Sequence, residues 1–109
     1  MTAAGAPALY GFGMLGQFRA LAEIGPRRLS ALGIESGADV RPAFEAIAAL
    51  PGTLVEVVCF HKDVRDAEEV RAAGGEVLGD RVPAWTAVGM TGFRDESSLH
   101  AFHALAVSA

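Results

Sequence analysis

Residues 53–60, TLVEVVCF, constrain the chain most. Three valines and a threonine make up half of the run, and their branched Cβ atoms favour a pleated, buried strand over a helix. Pro51-Gly52 stops whatever precedes it, and His61-Lys62-Asp63 leaves the sheet. On either side the apolar period changes. In residues 39–50, DVRPAFEAIAAL, Val40, Phe44, Ile47 and Ala48 recur at helical spacing. Pro42 is tolerable there because it falls in the first turn, and Ser36 or Asp39 can cap the free amides. Residues 66–73, DAEEVRAA, predict a second helix with Asp66 as its cap and Gly74-Gly75 near its end, although EVLG can resume it. A strand between two helices requires further strands to complete a sheet.

Those strands are found at both ends. Pro83 opens a strand through Trp85, and residues 99–107, LHAFHALAV, form a last one. Residues 17–34 read as a hairpin turning at Gly25-Pro26. A helix over 15–24 competes, because Phe18, Leu21 and Ala22 also suit a period of 3.6. Residues 1–14 read as an N-terminal arm, followed by a single domain over 15–109. The order is β-β-α-β-α-β-β, an α+β two-layer architecture with a mixed sheet and two helices on one face.

With 109 residues there is room for one core. Hydrophobic residues make up 51% of the chain, high for a small domain, which implies apolar surface covered by other subunits. A net charge of −4 argues against nucleic acid, which needs a concentrated basic surface; Arg27-Arg28 is a lone pair. One cysteine, Cys59, excludes an internal disulfide and suits a reducing cytoplasm as a buried, unreactive thiol. No secretory signal or membrane-length apolar run is visible, so the expectation is a cytoplasmic protein without membrane contact.

Cofactor motifs are missing. Gly11, Gly13 and Gly16 give G-x-G-x-x-G, but without the strand and helix of a dinucleotide site. His100 and His103 lie on one strand and point to opposite faces, so they cannot share a metal. No metal site and no cofactor is expected. His100 reads as a core histidine. His61, beside Lys62-Asp63, reads as a surface one, and Glu68-Glu69 as a solvated helix face.

The C-terminal half, LVEVVCFHKDVRD through EVLGDRVPAWTAVGMTG to LHAFHALAV, resembles the Rid family, the YjgF-like imine deaminases. Residues 53–107 carry the likeness, and 15–34 carry it more weakly. The resemblance implies a chorismate-mutase-like fold and a homotrimer with small-molecule clefts between subunits. In those clefts an arginine grips the carboxylate of a 2-imino acid, and a glutamate helps to place a water.

Residue by residue, the departures run from polar to apolar. The family's arginine follows Pro-Ala, and Trp85 stands there. The small cleft residue two places on is Ala87. The terminal-strand glutamate falls at Ala101. The serine-glycine pair falls at Leu32-Gly33, or at Ala31-Leu32, and the entry tyrosine at Phe18. Without a two-point cationic grip the standard deaminase chemistry should be lost. Trp85 reads either as packing at the trimer interface or as a stacking wall for a flat ligand. Arg71 is a candidate for holding an anionic group in place of the missing arginine. Trp85 and His103 are expected to look into one cleft, with His103 as its acid–base group. The sequence therefore predicts a cofactor-free pathway enzyme that hydrolyses, dehydrates or isomerises a reactive apolar intermediate. The alternatives are a non-catalytic trimeric binding protein and a 2-iminobutanoate/2-iminopropanoate deaminase.

Overall fold

The computed structural model describes residues 7–11, 17–81, 83–93 and 95–109, with side chains from residue 19 onward. Six strands form one sheet in the order β1-β2-β3-β6-β4-β5. They are β1 Pro7–Gly11, β2 Gln17–Ile24, β3 Arg27–Ser36, β4 Thr53–His61, β5 Ala84–Gly89 and β6 His100–Ser108. Neighbours run antiparallel except β4 and β5, which are parallel. Helices α1, Arg41–Ala48, and α2, Ala67–Leu78, complete an α+β fold of mixed sheet and two helices.

The hairpin reading of residues 17–34 holds. β2 and β3 pair from Gln17↔Ile34 to Ile24↔Arg27 across a turn at Gly25, which takes φ +60°. Residues 7–11, which the sequence places in an arm, add an edge strand to β2. The rest of that arm lies outside the described residues. Gly11 ends β1, and Gly13 and Gly16 of the glycine pattern lie outside the described residues.

Of the expected helix caps, the one at α1 is present and the one at α2 is not. Asp39 does serve α1, accepting from the Arg41 amide at 3.1 Å. Asp66 makes no side-chain cap on α2. Asp63 instead accepts from the Arg65 amide at the 3-10 turn Val64–Asp66 that leads into α2. The paired glycines do not end α2, which runs on to Leu78 and stops at Gly79, φ +63°. Gly74 is needed inside it: a Cβ there would come within 2.7 Å of the Phe44 ring and 2.9 Å of Trp85.

The core lies between the helices and one face of the sheet. Phe44 and Ile47 of α1 meet Leu32, Val57, Cys59, Phe102 and Ala104. Alternation along each strand assigns these residues to the covered face and their neighbours to the other. A bulge at Val55 between Leu54 and Glu56 shifts the phase of β4, so that Val57, Cys59 and His61 turn inward. The second face carries no helix among the described residues.

Candidate active site on the uncovered face

β6 sits between β3 and β4, and its outward residues define two rows across the uncovered face. The first row is Gly33, His103, Val58 and Thr86; the second is Glu35, Ala101, Phe60 and Val88. Residues directly opposite in a sheet point the same way. His103 is exposed and meets the Phe60 ring edge-on, with centroids 5.1 Å apart. Glu35 stands one row away on the adjoining strand, diagonal to His103. Its Oε1 is buried and has no hydrogen-bond partner among the described residues. Two adjacent rows thus combine an imidazole, an aromatic ring and a carboxylate oxygen with accepting capacity left over. Those groups can accept an N–H or O–H, move a proton, and hold an apolar body.

Of the residues singled out from the sequence, Gly33, Ala101 and His103 come together here. Phe18 joins by backbone register, opposite Gly33; its side chain lies outside the described part of the structure. The expectation that Trp85 shares a cleft with His103 is corrected. β4 lies between β5 and β6, so Trp85 is opposite Val57, which in turn is opposite Ala104 on the covered face. Trp85 stacks on Phe44, centroids 5.6 Å apart and planes 19° from parallel. Ala87 is opposite Cys59 and shares that face, and Leu32 is buried there. Arg71 lies beside Trp85, its guanidinium carbon 5.7 Å from the ring centroid. That is a cation–π contact, and it places Arg71 away from His103 as well.

A second polar group lies inside the molecule. His61, expected at the surface, is fully buried, and His100 is 3% exposed. Their Nδ1 atoms are 3.0 Å apart, while His61 Nε2 is buried with no partner among the described residues. Burial lowers the pKa of both imidazoles; the charge of His100 lowers that of His61 further, and Asp66 opposes the shift in each. His100 also borders a cleft of about 360 Å³ lined by Asp39, Arg41, Asp66 and Glu69. No group of three His, Cys, Asp or Glu side chains among the described residues is placed to hold a metal. No helix among them is long and apolar enough to cross a membrane.

Sequence reasoning missed Glu35 and the His61–His100 pair. Glu35 follows an apolar strand and carries no motif. The two histidines are 39 residues apart, and only the strand order brings them into contact.

No family model matches the sequence, nor does any curated protein sequence. Solved structures do match the architecture over nearly the whole chain. A Mycobacterium tuberculosis member of the YjgF/YER057c/UK114 family superposes with TM-score 0.65 at 18% identity, covering 94% of this chain and 99% of that one. A Streptococcus pyogenes member of the yjgF family gives 0.55 at 16% identity, covering 94% and 96%. Yeast Mmf1 gives 0.60 at 11%, covering 92% and 90%. The chain has the YjgF/YER057c/UK114 fold.

Within the YjgF-type fold, the position that the sequence resemblance aligns with the family's arginine is Trp85, in the packed layer beneath α1 and α2. The positions aligned with the family's glutamate and with the glycine of its serine-glycine pair, Ala101 and Gly33, stay on the uncovered face. Glu35 is directly opposite Ala101 in the register, so that face has a carboxylate one strand from the alanine.

Proposed function

We propose that this chain is a Rid-type, cytoplasmic homotrimer that binds a small, largely apolar metabolite in clefts on the uncovered sheet face. There it performs cofactor-free proton-transfer chemistry: hydrolysis, dehydration or isomerisation. The observation that carries this reading is His103 exposed on that face, edge-on to Phe60 and one row from the buried Glu35 oxygen. Imidazole is the side-chain type best suited to moving a proton near neutrality. Glu35 would bring its carboxylate to an N–H or O–H of the ligand once the side chain turns out of its buried position, while Phe60 and Val88 provide apolar contact. The surplus of hydrophobic residues supports assembly, since stable interfaces commonly bury about 1,200–2,000 Å². Val55 and Val88 are exposed, 42% and 37%, on this face.

Standard 2-imino acid deamination is not favoured. The two rows around His103 contain no arginine or lysine, and Trp85 is held against Phe44. A non-catalytic trimeric binding protein is the second reading, favoured by the apolar setting of Phe60, Ala101, Val58 and Val88.

The test has two parts. Light scattering behind size-exclusion chromatography should give three times the chain mass; a monomer at micromolar concentration overturns the assembly. Incubation of the protein with a cellular metabolite extract, followed by mass spectrometry, should reveal a compound that gains or loses water or isomerises. His103→Ala should abolish that change while preserving the trimer. Ligand retention without turnover in both proteins would establish the binding reading instead.

A further inference from the structure

The His61–His100 pair takes no part in the chemistry proposed for the uncovered face. It lies on the opposite face, where the end of β4 and the start of β6 meet the 3-10 turn and α2. Backbone bonds converge on the same place. Met90 N donates to His61 O at 2.8 Å, and Lys62 N donates to Leu99 O at 2.9 Å. Leu99 N donates to Ser36 O at 2.9 Å. The two imidazoles therefore sit where four segments of chain are tied together.

The orphaned nitrogen assigns the tautomers. Two neutral imidazoles whose Nδ1 atoms are 3.0 Å apart can share one N–H···N bond. If His100 donated, the proton on His61 would be at Nε2, a buried N–H with no acceptor among the described residues. If His61 donates from Nδ1, Nε2 is left as an unpaired acceptor, and no N–H of His61 is stranded. His61 is thus the donor and His100 the acceptor, with the remaining proton of His100 on its Nε2.

That arrangement has no good place for an additional proton. On His100 Nδ1, it would face the His61 N–H and destroy the bond between them. On His61 Nε2, it would bury a cationic N–H without an acceptor. We infer that His61 and His100 form an acid-released latch across the paired ends of β4 and β6, in which an added proton either breaks their shared hydrogen bond or strands a buried cationic N–H, and so loosens those ends.

The surrounding charges set how hard the latch is to open. Asp66, between the 3-10 turn and α2, favours protonation of both rings. Asp39, Arg41 and Glu69 line the cleft that His100 borders. Lys62 follows His61 in the chain, and the Asp63–Arg65 ion pair lies just beyond at 2.7 Å. Ser36 of β3 is opposite His100 and directs its hydroxyl to Gly37 O. β5 ends at Gly89 and Met90 follows it, neither carrying a charge. Desolvation outweighs Asp66, so the folded protein binds these protons less readily than the unfolded chain. The latch's contribution is complete above the ordinary imidazole pKa and falls as acid passes from that value toward the lowered ones.

The test uses the intact protein. Ring 15N shifts should place the His61 proton on Nδ1 and the His100 proton on Nε2 at neutral pH. Between pH 7.5 and about 5 both rings should stay neutral past the ordinary imidazole value, and their titrations should be coupled, each charge opposing the other. Over the same interval, amide protection at residues 60–66 and 99–101 should drop about tenfold relative to the β2–β3 hairpin. His100→Asn keeps an acceptor for His61 but removes one imidazole; it should retain neutral-pH protection and lose most of the acid response. Independent titration of the rings near the ordinary value overturns the latch. So does unchanged protection in the wild type, or a full acid response in His100→Asn. If that variant does not fold, the wild-type shifts and protection decide the matter.

Discussion

Trp85 lies nearly parallel to Phe44, their ring centroids 5.6 Å apart, and so joins the edge strand β5 to helix α1. Offset aromatic pairs of this kind add to the area they bury. The ring is therefore part of the scaffold. Trp85→Ala should cost about 3 kcal/mol in urea unfolding, at the low end for a large aromatic because the ring is half-buried. Trp85→Arg should destabilise the fold and yield no 2-aminoacrylate turnover, because the guanidinium would enter the helix-covered layer. A stable Trp85→Arg protein with deaminase activity would refute this placement.

Gly74 should resist a substitution that helix propensity favours. Alanine is better than glycine inside a helix by about 1 kcal/mol. Here its Cβ would meet the buried Phe44 ring at 2.7 Å, and that ring is also packed on Phe102. Overpacking costs about 1–3 kcal/mol, so Gly74→Ala should be neutral to destabilising. A higher denaturation midpoint would show that the two rings can move aside.

Cys59 is fully buried, and burial pushes its thiol up to about 12, with Arg71 opposing. The thiolate is the reactive form. At pH 8 the native protein should scarcely react with an aromatic disulfide reagent, while the denatured chain should react stoichiometrically. Fast labelling of native protein would mean that β4 opens.

Val88 tests the use of the uncovered face. It is 37% exposed and shares a row with Phe60 and Ala101. Val88→Asp should shift the mass in light scattering from that of the proposed trimer to that of a monomer. Far-ultraviolet circular dichroism should remain unchanged, since a surface change of this type usually costs less than about 0.5 kcal/mol. An intact trimer would place the interface elsewhere.

Much of the fold could be read locally. Val57, Cys59 and their neighbours have the side chains of a buried strand, and Phe44 and Ile47 have the spacing of a covered helix face. The hairpin at Gly25 follows from a glycine free to take positive φ. The site was less legible. Alternation tells which residues of one strand share a face, but it does not relate that face to another strand. The expectation that Trp85 and His103 share a cleft rests on aligning their strands with the family as neighbours. β4 lies between them, and the phase it carries puts them on opposite sides. Glu35 and the histidine pair depend on the same long-range order, and α2 outran its glycines because packing on Phe44 outweighed propensity.

The extra residue at Val55 has a reach well beyond its own position. Leu54 and Val57 both point inward, so everything from Val57 to His61 is turned over relative to a strand that alternated without interruption. Deleting Val55 itself would close the bulge and leave Glu56 opposite Leu105 and His61 opposite His100, whereas deleting a residue between Glu56 and His61 would turn over the strand on one side of the cut. Length variation is therefore absorbed at the bulge and closed to the rest of the strand, and the tolerance of the chain to deletion should show one permissive position, Val55, within residues 53–61.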